Sequence, residues 1–415
     1  MVLFYPGDQS TQAITDITHQ RMKRLKESLS QVLTLFYPFA GRVKDRITID
    51  CNDEGVHFTE AKVSCSLSEF LNQPNLSSLI YKLIPNQAIL EVSTEGYTTM
   101  AKVTCFACGG MVVGIMISHM VADGAGASFF VNSWSSNSRI GEVQHAFELP
   151  NFDTPFPRNN ACPQDTNLTA FMGKFFNADR IATRRFLFDA EAISRLKAQG
   201  SSLTMKNPTR VEVVESLLCK CVAKTFKTNS GLERPTLITQ SVNIRRRASP
   251  NFSNSCMGNF VWMVTALMSA NDELPELVTK FREAVNSINS DFVRNFQGEG
   301  GFVNYCEASK HAIETAMKTA MMSRNGVNYL NYTSWCNFGL YDVDFGWGKP
   351  IWVSCVAESM DNLVILMDTP SRKGIEVWVY LNEDKMAILQ QDNELLMFVT
   401  MDPNPLRLKD FVSDA

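Results

Sequence analysis

No stretch of this chain stays apolar for the roughly 18 to 20 residues that a membrane span needs. Its opening, Met1-Val2-Leu3-Phe4-Tyr5-Pro6-Gly7-Asp8, has neither the charged start nor the apolar core of a secretory leader. A cytoplasmic protein with no membrane partner is expected. An excess of one charge is missing too: 39 basic and 43 acidic side chains leave a net charge of −4, and Arg245-Arg246-Arg247 is the one basic run. Nucleic acid is therefore not an expected partner. Internal repeats and low-complexity tracts are absent, so nothing argues for extensive disorder. The eleven cysteines are an odd number scattered through apolar segments, which favours reduced thiols over a disulfide framework. Cys105-x-x-Cys108 and Cys219-x-Cys221 are followed by no second pair at zinc-site spacing, so they read as core thiols and no metal site is expected.

What is present is a chain of 415 residues, 45% apolar and 20% charged, large enough for two packed domains. Apolar residues recur at helical spacing from Gln20 to Leu35, and Phe36-Tyr37-Pro38-Phe39-Ala40-Gly41-Arg42 stops that helix. Ile47-Thr48-Ile49-Asp50-Cys51 and Val56-His57-Phe58 flank Asn52-Asp53-Glu54-Gly55, which predicts a hairpin. Four prolines (Pro150, Pro155, Pro157 and Pro163) among Asn, Asp and Thr predict a crossover loop over 151–179. Beyond it, Arg184 to Phe188 reads as a strand, and Ala190 to Gln199 and Thr209 to Thr225 as helices. The expected fold class is α/β.

The likeliest seat of chemistry is Ile117-Ser118-His119-Met120-Val121-Ala122-Asp123-Gly124. It follows Gly109 to Ile117, a buried-strand pattern, and precedes Ala125 to Trp134, a helix with an apolar face. His119 is thereby placed at a strand-to-helix junction. A neutral imidazole there can take a proton from an alcohol or amine, as a general base must near neutral pH. The spacing by itself is a weak signal, since a histidine at a helix start can equally be a packing residue. A second cluster, Asp344-Phe345-Gly346-Trp347-Gly348, reads as a tight turn in which Asp344 bonds local backbone while Phe345 and Trp347 anchor the loop.

Together, His119-x-x-x-Asp123-Gly124 and Asp344-Phe345-Gly346-Trp347-Gly348 resemble the plant BAHD acyl-CoA-dependent acyltransferases. The likeness extends through Phe36-Tyr37-Pro38-x-Ala40-Gly41-Arg42, Val242-Asn243-Ile244-Arg245, Met257-Gly258-Asn259 and Thr333-Ser334-Trp335-Cys336, and so covers nearly the whole chain. Within the family it is most similar to the branch of vinorine synthase and salutaridinol acetyltransferase, which acetylate alkaloid hydroxyls.

The resemblance implies a two-domain chloramphenicol-acetyltransferase-like fold with the active-site channel between the domains. An N-terminal domain over 1–150 would be completed by about 344–367, and 180–343 with 368–415 would form the C-terminal domain. It implies an O-acyltransferase acting on an alkaloid-like metabolite, with acyl-CoA, acetyl-CoA first, as co-substrate and no permanently bound cofactor. An acylsugar or amide-forming transferase, or a catalytically weak ligand-binding relative, are the alternatives. A monomer is expected.

His119 is then the general base, and Ser118 has no special claim as a nucleophile. Asp123 reads either as the orienting carboxylate of a triad or as the partner of a buried cation; the resemblance supplies Arg245 for the second role. Asp344, Gly346, Trp347 and Gly348 are structural supports, with the Trp347 indole N–H a candidate oxyanion donor. Gly258, Asn259, Ser334 and Trp335 are the expected neighbours of CoA, and Arg246 or Arg247 could attract its phosphates.

Two departures stand out. Met120 occupies the place where the alkaloid branch commonly has lysine. Family members usually carry about forty residues before the segment matching Val2 to Pro6, so that segment is expected at an under-covered edge or channel wall.

Overall fold

The structure is a computed structural model and describes residues 1–7, 14–45, 48–85, 96–139, 148–154, 156, 180–203, 205–269, 271–323, 325–357 and 360–408. Two sheets organise them. The first has five strands in the order β11 (Trp352–Ser354), β1 (Val2–Tyr5), β6 (Met111–Ile117), β5 (Thr99–Phe106) and β4 (His57–Val63). Its pairings are antiparallel except β4 with β5. The second has seven strands in the order β14 (Thr400–Met401), β7 (Ile181–Phe188), β13 (Ile375–Asn382), β12 (Leu363–Asp368), β10 (Asn328–Ser334), β8 (Thr236–Asn243) and β9 (Val261–Met268). There β10 runs parallel to both β8 and β12.

Packing explains the helices better than propensity does. The helix Gly124–Ser138 is rich in Gly, Ser and Phe, and it holds because Phe130, Val131 and Trp134 are fully buried. Against it lies the helix Ile14–Leu35, whose Leu25 carbonyl accepts from the Trp134 indole at 3.2 Å. Around the second sheet, the helix Arg210–Ser230 starts at a capping box of Thr209 and Glu212 and ends at Gly231, whose φ of +66° suits glycine.

The sheets are bolted together where β11 meets the larger one. The Trp352 indole donates to Glu376 Oε2 at 3.0 Å while Arg185 Nη1 donates to Glu376 Oε1 at 2.9 Å. The Arg185 guanidinium sits 4.8 Å above the Trp352 ring. Arg185 Nη2 also donates to the Pro403 carbonyl at 2.8 Å, and these bonds offset the cost of burying the pair.

Three expectations change. Ile49–Asp50 (β3) pairs with Arg42–Val43 (β2), and His57–Val63 pairs in parallel with β5, so the hairpin across Asn52 to Gly55 does not form. Of the segment 344–367, only Trp352–Ser354 joins the first sheet; Leu363–Asp368 pairs with β10 and β13 in the second. An all-buried strand of that kind carries no alternation that would tell one sheet from another. Val2–Tyr5, expected at an under-covered edge, is paired on both sides and fully buried. Of the crossover loop over 151–179, residues 155 and 157–179 lie outside the described residues. Its start is held by the bonds Asn151 N to Ser255 O and Met257 N to Asn151 O, both 2.8 Å.

Candidate active site

Strand β6 ends at Ile117, and the chain turns through Ser118 to Ala122 before Asp123 caps the next helix, its Oδ1 accepting from Gly126 N at 2.9 Å. The turn leaves the His119 side chain exposed while Val121 and Ala122, just before the cap, are buried. His119 Nδ1 lies 3.1 Å from Asn259 Oδ1, and Asn259 Nδ2 donates to the His119 carbonyl at 2.7 Å. That second bond fixes which end of the amide faces the ring. Asn259 Oδ1 can only accept, so Nδ1 carries the hydrogen and the Nε2 lone pair is left for a substrate.

Asp123 points elsewhere. Its Oδ2 accepts from Arg245 Nη1 at 2.7 Å and from Phe260 N at 2.9 Å. Both side chains are closed to solvent, at 1% and 0% exposure, so the pair lies in a low-dielectric interior. Arg245 Nε and Nη2 donate to the carbonyls of Cys256 and Gly258, Nη1 also reaches Asn243 Oδ1 at 3.5 Å, and the guanidinium lies 4.6 Å from the Phe260 ring. Of the two roles open to Asp123, the geometry assigns the ion pair. The pair ties the turn after β6 to the segment Cys256 to Phe260, which carries Asn259, and so sets the imidazole indirectly.

The match to known proteins covers this frame end to end. The model of the Transferase family, the BAHD acyltransferases, matches residues 8–396. The chain belongs to that family. A limonoid 7-O-acetyltransferase of Citrus sinensis is 43% identical over 98% of this chain and 91% of its own length. An epi-neemfruitin B 7-O-acetyltransferase of Melia azedarach is 42% identical over the same shares. The crystal structure of vinorine synthase superposes with a TM-score of 0.74 at 31% identity, covering 96% of this chain and 89% of that one.

In this BAHD acyltransferase, a cavity of about 600 Å³ opens at His119. Phe129, Trp335 and Phe338 contribute aromatic surface to its lining, and Gln240, Ser241, Asn243 and Arg246 contribute polar groups. Ser334 and Trp335, expected beside CoA, line it. Gly258 and Asn259, named with them, lie at the imidazole: the Gly258 carbonyl accepts from Asp123 N, and Asn259 holds the ring. Arg247, for its part, donates to the carbonyls of Val285 and Ile288 at 2.9 and 2.8 Å.

The Asp344 turn is built as local chemistry suggests. Asp344 Oδ1 accepts from Gly346 N at 2.8 Å and Gly348 N at 2.9 Å, and both glycines have φ above +100°. A Cβ at Gly346 would also come within 2.7 Å of Arg24 Nη1. Trp347 stacks on Phe345 and meets Arg21 and Arg24 in a groove on the first helix, away from the His119 cavity. Its place there removes it as an oxyanion donor.

The sequence reading missed two features. Asn259 as partner of His119 is one. Asn259→Ala is expected to lower kcat about tenfold while CoA binding holds, because one hydrogen bond of that order fixes the tautomer; steady-state kinetics beside CoA titration calorimetry checks it. The other is Glu215, fully buried on the helix Arg210–Ser230 and met by Gln240 Nε2 at 3.0 Å to each carboxyl oxygen. Burial pushes its pKa up from 4.5 to about 8, with Glu212 adding to the rise and the Gln240 bond opposing it.

A raised carboxyl pKa means that the folded protein keeps a proton the unfolded chain releases. Glu215 therefore lowers stability progressively as pH climbs from 4.5 to about 8. Glu215→Gln is expected to flatten that decline, raising the melting temperature at the alkaline end relative to wild type. Parallel thermal melts between about pH 5 and pH 9 would show it, and an unchanged difference across that range would refute the neutral carboxyl.

Among the described residues, Cys221, Asp392 and Glu394 form the one cluster with metal-ligand potential. Glu394 is committed to Lys220 and Lys224, and burial raises the Cys221 thiol far above its usual range, so the group offers a cation no thiolate. No helix among the described residues is long and apolar enough to cross a membrane.

Proposed function

We propose that this acyltransferase moves an acetyl group from acetyl-CoA to a hydroxyl of a polycyclic plant metabolite, with His119 as the general base. The observation that carries the mechanism is the Asn259 clamp on Nδ1, which in a neutral imidazole leaves the Nε2 lone pair as the free base. Nε2 takes the hydroxyl proton as the acceptor oxygen attacks the thioester carbonyl. The tetrahedral intermediate then collapses with loss of the thiolate, to which the imidazolium returns the proton. Asn259 Oδ1 faces the Nδ1 hydrogen throughout and steadies the imidazolium as it forms. Asp123 and Arg245 hold the frame.

The acceptor reading rests on two supports. The aromatic side chains Phe129, Trp335 and Phe338 in the cavity lining suit a rigid apolar skeleton better than a polar one such as a sugar. The relative at 43% identity is named for a limonoid acceptor and the one at 42% for epi-neemfruitin B, whereas vinorine synthase, an alkaloid-branch enzyme, stands at 32% by sequence alignment. A limonoid-type alcohol is therefore the first acceptor to test and an indole alkaloid alcohol the second. A monomer working in the cytoplasm completes the proposal.

The test is incubation of the purified protein with acetyl-CoA, longer acyl-CoAs and a panel of limonoid, alkaloid and sugar alcohols, with products read by mass spectrometry. Acetyl esters of the polycyclic alcohols are expected. Preferential acylation of the sugars would overturn the acceptor assignment, and failure of every thioester to react would overturn the donor assignment.

A further inference from the structure

The groove on the first helix is a second concavity, of about 760 Å³, and it shares no lining residue with the His119 cavity. The helix Ile14–Leu35, the end of the helix Gly124–Ser138 and the turn at Gly346 and Trp347 enclose it. Four cations line it, Arg21, Lys23, Arg24 and Arg139, against one carboxylate, Glu27, which stands 3.8 Å from Lys23. In a chain whose net charge is −4, that is a marked local excess of positive charge.

Contacts with the turn place the arginines. The Arg21 guanidinium lies 5.4 Å from the centre of the Trp347 ring. A Cβ on Gly346 would stand 2.7 Å from Arg24 Nη1 and 3.7 Å from Arg139 Cγ, so side chains from two helices meet over one glycine. Their donors are largely unspent. Among the described residues neither Arg24 nor Arg139 meets a carboxylate, and Arg139 makes only a 3.4 Å contact with Ser136 Oγ. Gln31 accepts from Asn137 Nδ2 through its Oε1 at 2.9 Å, which leaves its NH2 group to donate.

Cations gathered in a concave groove repel one another and focus their field on it, which favours a bound anion. The planar fork of arginine matches oxyanions, and a multiply charged one offsets more of the excess than a single carboxylate does. From this placement we infer a second binding site, for a phosphate-bearing anion, with Arg24 and Arg139 as the groups that hold it. Free phosphate or pyrophosphate and the phosphates of a nucleotide share that chemistry. The anion ties the first helix to the Asp344 turn, whose Phe345 packs on Trp134 and Tyr5, so its binding stabilises the domain around the first sheet.

The experiment is calorimetric titration of pyrophosphate, at constant ionic strength, into wild type, Arg24→Gln, Arg139→Gln, their double variant and Arg246→Gln. Thermal melts run alongside. Wild type should bind pyrophosphate and melt higher as its concentration rises. Each groove substitution removes a charge-assisted bond from an exposed side chain and should weaken binding about tenfold without unfolding the protein. The double variant should lose the rise in melting temperature, and Arg246→Gln should keep it. Acyl transfer should be unchanged in the groove variants, whose residues lie away from His119. Adenosine 3′,5′-bisphosphate in place of pyrophosphate separates the sources: tighter binding through the same two arginines assigns a nucleotide, weaker binding a free phosphate. Wild type that binds neither probe, or affinity and melting shifts that survive in the double variant, would overturn the site. Loss of binding in Arg246→Gln alone would place the anion in the His119 cavity and overturn it equally.

Discussion

His119→Ala should reduce kcat/KM by about 10² to 10⁴-fold, the range expected when a general base is removed. Stability and CoA affinity should change little, because the imidazole is exposed and its one side-chain partner, Asn259, is exposed as well. Turnover by initial rates, with a thermal melt and a CoA titration on the same preparation, checks all three. A folded His119→Ala protein turning over near the wild-type rate would remove His119 from the chemistry. A protein that unfolds would instead make His119 a packing residue.

Asp123→Asn and Arg245→Met should each cost about 3 to 5 kcal/mol of stability, since either leaves a fully buried charge without its partner. Activity should fall with them, because the segment Cys256 to Phe260 that carries Asn259 loses its tie to the turn at His119. The double variant should lose less than the sum, as coupled residues do. It will not recover wild-type stability, for Asp123 also caps its helix at Gly126 N and accepts from Phe260 N. Denaturant unfolding of the four proteins gives the coupling free energy. Strict additivity would mean that the pair contributes nothing and would reopen Asp123 as an orienter of His119.

The site was legible where its residues sit close together along the chain. His119, Asp123 and Gly124 announce themselves by falling between an apolar strand and a small-residue helix, and Asp344 to Gly348 by the two glycines around a tryptophan. Asn259 was not legible as the imidazole's partner, because 140 residues separate the two and an exposed asparagine in a loop carries no local signature. Glu215 looked like one more polar residue in an amphipathic helix. Only the fold shows it facing Gln240 inside the protein. In the fold, helices were easier to read than strand partners: the 3.6 period is contained within one segment, whereas pairing depends on another. Hence the sequence marks Ile47 to Cys51 and Val56 to Phe58 as extended but pairs them with each other, and it groups residues 363–367 with the first domain although their strand pairs in the second sheet.

The central claim is that His119 acts as a base for direct transfer and does not itself carry the acetyl group. Rapid-quench single turnover with acetyl-labelled CoA, enzyme in excess and acceptor present, tests it most directly, because protein, acceptor and CoA can be separated and counted at each time. The label should pass from CoA to the acceptor ester with none on the protein at any point. An acetylated protein that forms and decays at the rate of product appearance would contradict the account.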